Sequence, residues 1–304
     1  MPTHRLRVLV YMLPLLFASA IHGDGSPLAV SPGVGSQAYN DHWHQGKAEI
    51  TSYHLEQARY GEVRRGDAVA IFVTEDFSRE RHVKLDNPAA AGDDRVGILK
   101  LNLTKTFNTG VYPYSMMTSV FTPTDTSEGT LKVTTSSQEW CGHTFTQLNR
   151  KGAGYHFEER SYFESEGDVN VDLDTSLTED GLWTLMRLAP SVLPVGDVEL
   201  LPGTMYLRLS HAKPTPRRAK ASLTADPSKP RLMVYRLEYP DLRRTLSVHI
   251  QRDFPHAIES WEETYPSRGQ MLTTRATLNK RIFLDYWGRN SLADEALRDT
   301  LGLR

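Results

Sequence analysis

Four side chains capable of chemistry crowd one short run: Glu139, Trp140, Cys141 and His143 follow Thr134-Thr135-Ser136-Ser137-Gln138, with only Gly142 between thiol and imidazole. A Cys beside a His is the material of thiol-dependent hydrolases and transferases, in which the imidazole stabilises the attacking thiolate. Glu139 is a further candidate in that set. The spacing is a constraint, because residues two apart share a face only if the strand runs straight through Gly142, and glycine often marks a bulge or turn. The plainer expectation, and the preferred one, is a buried Trp140–Cys141 pair at a strand end.

A second constellation, Asp41-His42-Trp43-His44, would put His42 and His44 on one face of a strand, where both are able to ligate a metal ion. Two ligands do not complete a site, so the run reads as a solvated strand start and no metal or cofactor is expected. The carboxylates Glu158 with Glu159, Glu164 with Glu166 and Glu262 with Glu263 come in pairs, but nothing in their spacing sets the separation that acid–base chemistry requires. Charged strand faces and turns account for them. Asn102-Leu103-Thr104 matches a glycosylation acceptor and is assigned no role.

Aromatic residues point to a different class of function. Tyr112, Tyr114, Trp140, Tyr155, Phe157, Tyr162 and Phe163 fall in one half of the chain, and a curved sheet lined with such side chains holds an apolar ligand on its concave face. Trp140, Tyr112, Tyr114, Gln138 and Tyr162 are the candidate binding residues. Core packing is the competing account of the aromatic set.

The elements that must position these residues are mostly strands. Period-two patterning starts at Ala48, and Val69–Val73 is apolar on both faces, as a central strand requires. Glu62–Ala68, with Gly66, reads as a turn before it. Further strand-like runs are Ile98–Leu103, Ser115–Phe121, Leu131–Thr135, Thr144–Leu148 and Tyr155–Phe163, rich in Thr, Val, Phe and Tyr. Ser176-Leu177-Thr178-Glu179 matches a capping box, and Leu182, Leu185, Met186 and Ala189 follow at helical spacing until Pro190 stops the helix. Its apolar face is expected to pack on a sheet.

Leu232–Tyr239, Thr245–Arg252, Ala257–Thr264 and Met271–Leu278, punctuated by Pro240-Asp241, Phe254-Pro255 and Tyr265–Gly269, predict an antiparallel meander. Asn290-Ser291 would cap a last short helix with Leu292, Ala296 and Leu297 as its apolar stripe. Lys213–Pro230, with four prolines, reads as a long loop within one domain. The fold expected is mainly β: a large antiparallel sheet, a curved half-barrel or sandwich, carrying one or two short helices.

The N-terminus sets the compartment. Arg5 and Arg7 precede the apolar run Val8–Phe17 and the small-x-small site Ala18-Ser19-Ala20, the order of a cleaved secretory signal. The apolar run is roughly half the ~20 residues that span a bilayer. No Cys lies near the site, so a lipid anchor is not expected. Residues 21–40, rich in Ser, Pro and Gly, read as a flexible leader, and 41–304 as a single domain. One cysteine excludes an internal disulfide, so stability in an oxidising compartment must come from burial and hydrogen bonding. The net charge is -2, and the short basic runs Arg64-Arg65 and Arg217-Arg218-Lys220 do not make a nucleic-acid stripe.

Several motifs together resemble a family of exported bacterial proteins of about this length. They are His44-Gln45-Gly46-Lys47-Ala48-Glu49, Gln57–Glu62, Val73-Thr74-Glu75-Asp76-Phe77, Lys105–Gly110, Ser115-Met116-Met117 and Ser136–Gly142, and they cover most of residues 42 to 275. Members often carry the label septum formation inhibitor Maf. That label implies a cytosolic α/β nucleotide pyrophosphatase opening on a strand and a Ser-Pro-Arg-Arg type loop, whereas Ser31-Pro32 is followed by Gly33 in this chain. No pyrophosphatase activity, metal site or catalytic residue carries over. The expectation is a periplasmic or cell-envelope protein that binds an apolar ligand or a protein partner on a curved sheet. Its alternatives are a hydrolase or transferase using Cys141 and His143, and a nucleotide hydrolase linked to septum formation.

Overall fold

The structure, a computed structural model, describes residues 31–126 and 128–303. The expected signal peptide and the first part of the leader lie outside the described residues. A short helix, α1 (Gln37–Trp43), opens the fold; Ser36 caps it by accepting from the Tyr39 amide, and Tyr39 and Trp43 are buried. The leader reading therefore fails at its C-terminal end. Two aromatic side chains anchor a segment whose composition is otherwise that of a linker.

Nine strands follow: β1 (Ala48–Arg59), β2 (Glu62–Ser78), β3 (Val83–Lys84), β4 (Arg95–Thr109), β5 (Tyr112–Pro123), β6 (Lys132–Glu139), β7 (Gly142–Lys151), β8 (Gly154–Ser161) and β9 (Val169–Leu173). Two helices, α2 (Glu179–Leu188) and α3 (Thr204–Ser210), flank β10 (Gly196–Leu200). The chain then forms β11 (Arg217–Ala225), β12 (Leu232–Tyr239), β13 (Arg244–Gln251), β14 (Ile258–Ser267), β15 (Gln270–Leu284) and the terminal turn of helix α4 (Leu297–Thr300). Among the described residues all the strands belong to one antiparallel sheet, ordered β10-β11-β12-β13-β14-β15-β1-β2-β4-β5-β6-β7-β8-β9, with β3 beside β2. Two meanders are thus stitched together where β1 pairs with β15. The sheet does not close. Its edges, β9 and β10, are short and carry Asn170, Asp172, Asp197 and Glu199, polar side chains that discourage further pairing.

The expected C-terminal meander and the central position of Val69–Val73 match the sheet. Gly66 does not make a turn. It lies inside the long strand β2, where a Cβ would run into the Thr106 carbonyl and the Phe107 side chain of β4, so glycine permits a close approach; the turn is Tyr60-Gly61. The proline-rich stretch after Lys213 contains β11, whose Ala219, Ala221 and Leu223 alternate inward. The expected Ser291 cap, closed by Asp294, starts a 3-10 segment (Leu292–Ala296) that leads into α4, but Leu292 is exposed and Leu301 is the side chain that buries. No helix among the described residues is long and apolar enough to cross a membrane.

Curvature follows from what α2 touches. Thr184 on α2 bonds Thr122 of β5 at 2.6 Å, while Glu179 on the same helix bonds Arg244 of β13 at 2.6 Å. On a flat sheet those strands would be about 29 Å apart, and a helix is only about 10–12 Å across. The sheet must wrap around the helix. Trp183 meets Trp261 of β14 edge-on at 5.2 Å from within this wrap, and the side chains of both meanders join α2 and α3 in one core.

The N-cap of α2 is Thr178, which accepts from the Gly181 amide, two residues later than the capping box predicts. Glu179 does not reach back to the helix start because Arg244 holds its carboxylate. At the other end of the helix Arg187, fully buried, donates two hydrogen bonds to Glu49 of β1 at 2.8 and 2.7 Å and a third to the Pro255 carbonyl. The short α3 had no periodic signal. Arg59 secures its end by donating to the Leu209 carbonyl, with Tyr60 and Tyr114 around the guanidinium.

Candidate functional site

The strand order places the β4–β5 turn, the β6–β7 turn and the segment after β8 side by side at one end of the sheet. From first to last they span roughly 19 Å, four strand spacings. Each presents a large side chain to solvent: Val111 is 79% exposed, Trp140 71% and Tyr162 69%. The turns are contiguous. Tyr162 lies over Gly142, where a Cβ would sit 2.6 Å from its ring, and Tyr112 is close enough to Cys141 for the charge of one to act on the other.

This arrangement overturns the buried Trp140–Cys141 pair. β6 pairs with β7 up to Glu139 and Gly142, so Trp140 and Cys141 are the two turn residues and both are exposed. Tight turns between two strands leave the sheet, and among the described residues nothing buries the Trp140 indole. Cys141 donates its backbone N–H to the Glu139 carboxylate at 2.6 Å, and that carboxylate pushes the thiol pKa up, away from the thiolate a nucleophile needs. His143 is exposed on β7, beyond the turn that carries Cys141, and no hydrogen bond joins imidazole and thiol among the described residues. The Cys141–His143–Glu139 set is not assembled as a catalytic group.

The binding residues inferred from aromatic content divide. Trp140 and Tyr162 are exposed, Tyr112 is half-buried and Gln138 is exposed just before the turn. Tyr114 is core: its ring stacks on Phe107 at 4.9 Å and its hydroxyl bonds Tyr60 at 2.8 Å. Tyr155 and Phe157 are core as well. The histidine pair is not on a strand. His42 ends α1 with its Nε2 3.3 Å from Glu49, and His44 follows the helix with its Nδ1 2.9 Å from the Asn40 side-chain oxygen. Among the described residues no three His, Cys, Asp or Glu side chains gather as a metal ion would need.

The interior holds a cluster that the sequence did not single out. Beneath the starts of α2 and α3, Lys105 of β4, Arg244 of β13, Glu263 of β14, Glu179 and Asp180 of α2 and Tyr206 of α3 surround a cavity of about 40 Å³. Glu179 accepts from Arg244 and from the Tyr239 hydroxyl at 2.6 Å, Arg244 also donates to Glu263 at 2.7 Å, and Asp180 accepts from the Thr204 amide at 3.0 Å. Burial raises the Asp180 carboxyl to about 7. Burial likewise lowers the Lys105 pKa, against the pull of Glu263, and its ammonium has no hydrogen-bond partner among the described residues although only 4% of the residue is exposed. One signal was legible: Leu101, Leu103, Lys105 and Phe107 share the inward face of β4, so Lys105 stands where the pattern calls for an apolar residue.

A cavity this size has room for about two or three water molecules, whereas organic ligands occupy pockets of about 300–1,000 Å³. The concave face is filled by α2 and α3. Burial disfavours the charged form of Lys105 more than the surrounding carboxylates favour it, so Lys105→Met is expected to stabilise the protein by about 1–3 kcal/mol in urea unfolding at neutral pH. The gain should shrink as pH rises toward 10.5, where the unfolded lysine also loses its proton. An unchanged or lowered midpoint would mean that the ammonium is satisfied in the folded state.

The fold and its surfaces define an open antiparallel β protein, a single sheet wrapped around two short helices. No family model matches the chain, no curated protein matches it, and no solved structure matches it.

Proposed function

We propose that this protein is an exported cell-envelope binding protein, of the exported family its motifs resemble, and that it docks a protein partner on the turns carrying Val111, Trp140 and Tyr162. The observation that carries the reading is the contiguity of three large, solvent-facing side chains at one end of the sheet. Covering each would contribute about 1.5–3 kcal/mol, and Trp and Tyr are the residue types that dominate binding energy at protein interfaces. An apolar ligand inside the sheet is disfavoured by the filled concave face, and thiol catalysis by the carboxylate beside Cys141.

The test is site-specific photocrosslinking in the living cell envelope, with a benzophenone amino acid at position 140, at 162 or at the exposed control position Leu292. An adduct of one defined mass from 140 and 162, absent from 292, is the expected outcome. Trp140→Ala should suppress the adduct formed from 162 while leaving Tm unchanged. Failure to trap any protein from 140, or the same adduct from 292, would overturn the proposal.

A further inference from the structure

At the opposite end of the sheet the chain builds a groove of about 690 Å³. The end of α1 and the residues up to Lys47, the C-terminal part of β2, the start of β4 and Trp287 line it. Thr74 of β2 donates to the Trp43 carbonyl at 2.7 Å, which fixes the helix end against β2. The volume lies in the range of small-molecule sites.

Both carboxylates in the groove are taken up by cations. Glu75 is held by Lys100 at 2.7 Å and Lys84 at 3.4 Å, and Asp76 by the Nε of Arg95 at 2.8 Å. Lys47 stands at the wall with no ion pair among the described residues, and the terminal guanidinium nitrogens of Arg95 are not used by its bond to Asp76. Two cations, Lys47 and Arg95, and two carboxylates line the groove; Glu75 is paired with lysines outside the lining and Asp76 with Arg95, which leaves Lys47 without a counter-charge among the described residues. His44 donates its Nδ1–H to the Asn40 side-chain oxygen, so Nε2 of the neutral ring is an acceptor and adds nothing for an anion. Trp43, only 3% exposed, forms part of the wall; its indole N–H is buried and has no acceptor among the described residues. The unused positive groups of the lining are the Lys47 ammonium and the terminal nitrogens of Arg95. Beside them Trp287, 52% exposed, Val34 and Val73 supply apolar surface.

We propose that this groove binds a small organic anion: a carboxylate carried on an aromatic or aliphatic body, with Lys47 and Arg95 on the anionic group and Trp287 against the body. A guanidinium with free terminal nitrogens matches the planar carboxylate, and a flexible ammonium adds charge without fixing orientation. The site lies away from the exposed aromatic turns and does not depend on them.

Isothermal titration of the purified protein with naphthalene-2-carboxylate, and with its neutral carboxamide, tests the assignment. Saturable binding of one carboxylate per chain is expected, with the carboxamide at least about tenfold weaker and the carboxylate affinity falling as salt rises. The double variant Lys47→Gln, Arg95→Gln, altering two exposed side chains, should weaken the carboxylate about tenfold or more and leave the carboxamide unchanged. Trp287→Ala should weaken both. No saturable binding, equal binding of acid and amide, or indifference to the double variant would overturn the proposal. So would loss of binding in Trp140→Ala, because the probe would then sit on the exposed turns.

Discussion

Arg187→Met is expected to lower the unfolding free energy by about 3–5 kcal/mol, seen as a Tm lower by about 6–20 °C. The guanidinium is fully buried, holds both oxygens of Glu49 and lies over the rings of Phe72 and Trp43 at 4.5 and 5.1 Å. Burial raises the Glu49 carboxyl, but Arg187, His42 and Arg281 outweigh it and hold the pKa well below the usual carboxylate range. Removing Arg187 therefore strands a charge that only Arg281, at 3.7 Å, and His42 remain to face. The double variant Glu49→Gln, Arg187→Met should recover most of the loss, since replacing both partners removes the stranded charge. A single variant as stable as wild type in urea unfolding would show that this ion pair does not hold α2 to β1.

Asp180→Asn is expected to remove a pH dependence of stability. The Asp180 carboxyl is raised by burial from 3.8 to about 7, so between those values the folded state keeps a proton that the unfolded chain has released. Wild-type stability therefore falls as pH rises across that window, and the penalty is complete above about pH 7. At about 1.4 kcal/mol per pK unit the penalty comes to about 4 kcal/mol. The asparagine oxygen keeps the hydrogen bond from the Thr204 amide and adds no charge. Urea unfolding at several pH values should show the variant gaining on wild type steadily from about pH 4 to 7 and then running parallel to it. Equal slopes would mean that Asp180 is ionised in the folded state throughout.

Both predictions concern how α2 is held. The helix carries Glu179 and Asp180 in its first turn and Arg187 in its last; Glu179 meets Arg244 of β13, Asp180 the start of α3 and Arg187 Glu49 of β1, partners far apart in sequence. Its apolar residues, Leu182, Trp183 and Met186, supply the burial, while the charged residues select one seat on the sheet. That division of labour makes single-partner removals costly.

The strands were legible where neighbouring residues reported their own environment. Leu232–Tyr239 appears with the bounds its alternation predicts, and Val69–Val73 lies between β1 and β4 as an apolar run on both faces requires. Pro190 ends the α2 segment as expected. The failures were also local in origin. The composition of residues 31–40 is that of a linker, yet Tyr39 finds a place in the core; Gly66 has the look of a turn, yet it is needed because β4 passes close by. The short α3 has too few turns to show a period.

The sequence by itself determined an antiparallel β architecture, a C-terminal meander and one helix stopped by proline, because alternation and capping are set by residues a few positions apart. Only the tertiary structure decided that the sheet wraps around that helix. The same wrapping brought Lys105, Glu179, Asp180, Arg244 and Glu263 to one cavity and joined Glu49 to Arg187. It also left Trp140 in solvent, because a turn residue's exposure depends on what the rest of the chain places above it, and the sheet places nothing there. Strand curvature and the meeting of distant charges are properties of the assembled sheet, and no window along the chain contains them.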